Sequence, residues 1–67
     1  MKPQIIGILL NAAISAKGEM IVLKVPMIGD IIYHKFEEFS NIKKLEVIKY
    51  SVSEILNMIC IMCVEIK

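Results

Sequence analysis

The chain has 67 residues, of which 57% are apolar, and a mean hydropathy of +0.68. One domain spanning residues 1–67 buries only about 60% of the surface its unfolded chain exposes, so the composition carries more apolar material than a small monomer hides, and a second copy, another partner or a membrane must take the surplus. Net charge is +1 from eight Lys and seven acids, with no Arg, which argues against a dedicated binder of duplex or phosphate backbone.

The longest uncharged runs, Pro3 to Ala16 and Ile55 to Val64, carry polar residues and fall short of the roughly 20 apolar residues of a helical membrane span. Met1-Lys2 followed by Ile5–Leu10 has the outline of a signal peptide. Ile14 stands where a small residue belongs before Lys17, so the segment reads as a core strand. The two cysteines, Cys60 and Cys63, do not form a disulfide framework. A reducing, cytoplasmic setting is therefore expected.

In chain order, Gln4–Asn11 is a run of Ile and Leu without alternation, as in a strand covered on both faces. Ala12–Gly18 reads as a turn with Lys17-Gly18 at its tip, and Glu19–Val25 as the second strand of a hairpin. Gly18-Glu19 and Gly29-Asp30 each precede three apolar residues, which suggests a turn glycine followed by a strand in both places. Pro26 stops a strand, and Gly29 allows the chain to reverse at a Pro–Gly–Asp corner where Asp30 hydrogen-bonds the turn.

Ile31–Phe36 is read as a third strand, although Ile32, Phe36 and Phe39 also fit a short helix capped by Asp30. Glu37–Lys43 is a polar turn. Lys44–Val52 alternates, but its apolar phase slips at Val47-Ile48, which a β-bulge explains. Met58–Lys67 is read as a fifth strand. Met58, Cys60, Met62, Val64 and Ile66 would share one face, and Ile59, Ile61 and Cys63 the other. The rival is a C-terminal helix, started by a capping box at Ser51–Glu54 and carrying Ile55, Ile59, Met62 and Ile66 at helical spacing.

Chemistry-bearing residues are few. Cys60-Ile61-Met62-Cys63 has redox-motif spacing, but on a strand the two sulfurs face opposite ways and share neither a metal nor a disulfide. One histidine and no second cysteine pair leave no zinc set. Neither a catalytic group nor a cofactor is expected. Tyr33, His34, Lys35, Phe36 and Tyr50 are the candidate ligand- or partner-binding residues, because aromatic and cationic side chains on strands can stack on a ligand or base. Ile59, Ile61 and Cys63 are the candidate self-association face.

Val25-Pro26-x-x-Gly29-Asp30-x-Ile32, followed by a Leu45-x-Val47 strand and a terminal apolar strand, resembles the corner of small SH3-like or related five-stranded barrels. The resemblance implies a fold, and such barrels are common as short accessory proteins of bacteria and their phages. The expected architecture is mostly β: a small five-stranded, partly open barrel or curled antiparallel sheet, with α+β as the alternative. The expected function is a non-enzymatic interaction protein that forms a homo-oligomer and binds a protein or small ligand. A single-stranded nucleic-acid binder is the second reading.

Overall fold

The computed structural model describes residues 2–12, 15–55 and 57–66. Its elements are all strands: β1 (Gln4–Leu10), β2 (Ala16–Val22), β3 (Ile31–His34), β4 (Lys43–Ser53) and β5 (Met58–Glu65). They form one curled sheet in the order β2-β1-β5-β4-β3, a half-barrel. The segment with the helical alternative is strand throughout β5. Ile14 and Ala13 of the expected first turn, and Lys67 of the expected last strand, lie outside the described residues.

The sheet is mixed where an antiparallel one was expected. β1–β2, β3–β4 and β4–β5 are antiparallel, whereas β1 and β5 run parallel, with Gly7 opposite Cys60 and Leu9 opposite Met62. Every connection reverses the chain, so odd-numbered strands share one direction. The sheet closes a β1–β2 hairpin against a β3–β4–β5 meander by joining two odd strands.

The inner face carries the core. Ile6, Ile8 and Leu10 of β1, Ala16 of β2, Leu45 and Val47 of β4, and Ile61 and Cys63 of β5 are buried there, with Phe36 from the loop after β3. Met20, Val22, Val25, Ile32, Phe39 and Ile59 pack partly buried against them. The bulge falls where the apolar phase slips: the β4–β5 register shifts between Val47 and Lys49. Past it, Tyr50 and Val52 sit opposite Ile61 and Ile59, so the apolar residues of β4 stay on the inner side despite the extra residue.

β2 starts earlier than its sequence suggests. Gly18 is not a turn residue but pairs with Ile8 in mid-strand. A Cβ at Gly18 would stand 2.7 Å from His34 Nε2 and 3.4 Å from Phe36 Cδ1. The small pair Ala16 and Gly18 leaves the inner face of β2 low at this end, and Phe36 and His34 fill the space from the far edge of the sheet. This contact joins the two edges of the curled sheet. Beside it, the Lys17 N–H donates weakly to Glu38 Oε2 at 3.4 Å, a second link between the β2 edge and the loop after β3.

The corner before β3 is built as expected at Gly29, whose φ is +95°. The Asp30 N–H donates to the Met27 carbonyl at 3.0 Å, which closes a β-turn over Met27–Asp30, and Asp30 Oδ2 accepts from the Met27 N–H at 2.9 Å, which ties the same two residues a second time. The Gly29 N–H donates to the Val47 carbonyl and the Val47 N–H to the Asp30 carbonyl, tying the corner to β4 just before the bulge.

Candidate interaction surface

The five expected binding residues do not form one strip. Phe36 is 1% exposed and belongs to the core, so it has no free ring face for a ligand. β3 is only four residues long. Its alternation sends Tyr33 outward beside Lys44, while Ile32 and His34 turn inward beside Leu45 and Lys43. His34 meets Phe36 edge-on, with ring centroids 4.8 Å apart, and covers Gly18. Burial lowers its pKa from 6.5 because the charged imidazolium loses solvent. Lys35 follows β3 as an exposed residue. Tyr50 lies beyond the bulge on β4, and its hydroxyl donates to the Pro26 carbonyl. The expected stacking strip is thus divided between the core, two faces of β3 and a separate stretch of β4.

The expected self-association residues are likewise consumed. Ile61 and Cys63 are both 0% exposed on the inner face, and Ile59 packs against the same core. The physical reason is parity. The inner residues of β1 are Ile6, Ile8 and Leu10, and the parallel register sets Ile8 beside Ile61 and Leu10 beside Cys63. The other face of β5, carrying Met58, Cys60, Met62 and Val64, is therefore the outer one.

That outer face is the apolar surface left over. Ile5 and Leu9 of β1 stand next to Met58, Cys60, Met62 and Val64 of β5, and Ile21 of β2 pairs with Ile5 at one side. Ile21 is 71% exposed. Charged and polar residues border the strip: Lys17 and Glu19 on β2; Glu46, Lys49, Ser51 and Ser53 on β4. The relief is uneven. A Cβ at Gly7 would stand 2.8 Å from Cys60 Sγ, so the cysteine sulfur occupies the place of the missing side chain. A shallow depression of about 240 Å³ opens around it, lined by Leu9, Lys17, Glu19, Met58 and Cys60 among others. The Leu9–Met62 and Ile5–Met58 rows rise on either side.

A second cleft of about 420 Å³ lies at the seam between β2 and the loop after β3, lined by Lys17, Glu19, His34, Lys35, Phe36 and Glu37. Among the described residues, His34 has no carboxylate to orient it, and no group of three or more His, Cys, Asp or Glu is placed to hold a metal ion. The one described salt bridge, Lys43 Nζ to Glu65 Oε2 at 3.4 Å, sits with Lys43 over the Phe39 ring at 4.7 Å and braces the β4–β5 end. The cysteines are free and lie on opposite faces of β5. Burial pushes the Cys63 thiol up to about 11. No described helix is long and apolar enough to cross a membrane.

Sequence reasoning paired the right residues on each face of β5 but assigned the two faces the wrong way round. The missed members are Ile5 and Leu9. The signal for them is the lack of alternation in β1, where Ile5, Leu9 and the inner residues form one apolar run. No protein-family model, curated protein or solved structure matches this chain.

Proposed function

We propose that the chain is a non-enzymatic interaction protein that self-associates through the outer face of its sheet, and that this apolar face also receives a protein or small-ligand partner. One observation carries the reading. The neighbouring strands β1 and β5 are apolar on both faces, and the buried core of the chain lies on only the inner one. The surface area supports it. A folded monomer of 7.6 kDa has about 4300 Å² of accessible surface by the size relation for monomeric proteins, whereas this chain exposes 4960 Å². The excess, roughly 650 Å², is close to the ~800 Å² that each partner contributes to a standard interface. A net charge of +1 raises little repulsion between copies.

Sedimentation equilibrium tests this. The mass is expected to exceed that of one 7.6 kDa chain and to rise with concentration. Met62→Lys places a cation in the middle of the strip and is expected to weaken association by about tenfold or more, since an unpaired charge would have to be buried. A strict monomer at every concentration would refute the proposal.

A further inference from the structure

The longest strand is only half covered on one side. β4 has eleven residues, and its β3 partner reaches from Lys43 to Glu46, with Asp30 and Gly29 extending the bonding to Val47. From Lys49 to Ser53 the strand pairs with β5, and β3 does not reach it. The direction of its backbone groups follows from the bonds around it. The Ile66 N–H donates to the Lys44 carbonyl, so the even-numbered residues of β5 turn their backbone groups toward β4. Their partners past the bulge are Lys49, Ser51 and Ser53, opposite Met62, Cys60 and Met58. Tyr50 and Val52, lying between, therefore turn their N–H and C=O groups away from β5, toward the side that β3 does not reach.

The same place gathers exposed apolar side chains. Val52 is 68% exposed, and Ile48 and Tyr50 are exposed beside it. The corner residues Met27 and Ile28, 59% and 60% exposed, belong to this site. They are held there by the Gly29–Val47 backbone bond and by the Tyr50 hydroxyl on the Pro26 carbonyl. A regular strand edge with unused backbone donors and apolar flanks is a template for another strand.

We propose that this edge pairs with the same edge of a second copy, antiparallel about a two-fold axis at Ser51, joining two half-barrels into one continuous sheet. The stretch is self-complementary in that register. Tyr50 falls opposite Val52 of the second copy and Val52 opposite its Tyr50, so both N–H and both C=O groups of each pair are used. An aromatic residue then faces a β-branched one, a favourable cross-strand pair. Ser51 meets Ser51 without a charge. Lys49 falls opposite Ser53 of the second copy, one position along the chain from its Glu54, so a cation and an anion stand near each other at both ends of the contact. The contact is isologous and closes on itself. It rests on the self-association proposed above and gives it a distinct geometry, edge to edge in the plane of the sheet instead of across its outer face.

The test is sedimentation velocity on the whole chain and three sets of variants, with folding checked by far-UV circular dichroism. Val52→Pro removes an N–H that the isolated chain leaves unused, and proline is tolerated at such an edge position. It is expected to leave the β spectrum intact and to raise the dissociation constant about tenfold or more. Lys49→Glu and Glu54→Lys, each alone, are expected to weaken association by about fivefold, and the two together to restore it. That rescue keeps the test decisive if the proline variant does not fold. Association that falls with Met62→Lys but is unchanged in Val52→Pro and in both charge variants overturns the edge contact and leaves the outer-face reading standing. A wild-type chain that stays monomeric overturns both, leaving the edge to an extended segment of another protein.

Discussion

Cys60 and Cys63 are three residues apart on one strand, and their surroundings make them chemically unlike. Cys60 rests on Gly7 on the outer face, whereas Cys63 is fully buried between β1 and β4. The nucleophile is the thiolate. Raising the Cys63 pKa from 9.0 to about 11 reduces its thiolate fraction near neutral pH by about a hundredfold, before access is considered. A thiol-reactive chromophore is therefore expected to titrate one equivalent in the folded protein at dilutions where it is monomeric, lost in Cys60→Ser, and the second only on unfolding. Equal rates for the two thiols would mean that the inner face opens readily. The opposite facing of the two sulfurs was legible from a strand period of two. Which of them faces inward was not, because both faces of the strand are apolar and composition alone does not choose between them.

At the level of elements, side chains from one edge of the sheet meet the other edge. His34 and Phe36 reach from the β3 edge onto Gly18 of β2, and Glu38 accepts from the Lys17 N–H. His34 is held neutral there: burial lowers its pKa below 6.5 in the folded chain. The unfolded chain binds the proton more tightly, so this contribution to stability is complete above about pH 6.5 and is lost as the pH falls through the folded value. Urea denaturation is expected to show stability declining from pH 7.5 to pH 5 (about one and a half units below 6.5) in the wild type. His34→Gln is expected to flatten that decline, and an equal slope in the variant would assign it to other groups. The bulge in β4 and the Gly29–Asp30 corner were readable, since each leaves a local mark: a slipped apolar phase in one case, a Pro–Gly–Asp spacing in the other. Gly18 was misread as a turn glycine because the reason for its small size, the ring of a residue sixteen positions later, is not local.

For the whole molecule, the balance of surface matters more than any one contact. The chain is folded to about the size expected of its length: its radius of gyration of 11.4 Å is near the roughly 11 Å of a folded domain of this size. The exposed apolar area is therefore not the result of loose packing. Large side chains such as Ile5, Ile21, Leu23, Tyr33 and Ile42 remain exposed around a fully formed core. If copies of the chain cover part of this area, folding and association are linked by mass action. The melting temperature is then expected to rise by several degrees between micromolar and millimolar protein, and Met62→Lys to reduce that dependence. A melting temperature independent of concentration would count against the proposed association.

The sequence by itself determined the class of fold, the number of strands, the corner and the bulge. Each of these depends on residues near one another in the chain: β-branched runs, a phase slip, a proline followed by Gly-Asp. It also determined that there would be more apolar surface than one small domain can hide. The tertiary structure decided which strands are neighbours, that β1 and β5 run parallel, and which face of β5 is spent on the core. Strand adjacency is a long-range choice, made by the joint fit of Ile6, Ile8, Leu45, Val47, Ile61 and Phe36. With that fit made, Ile59, Ile61 and Cys63 went inside, and Leu9, Cys60 and Met62 were left on the outer face.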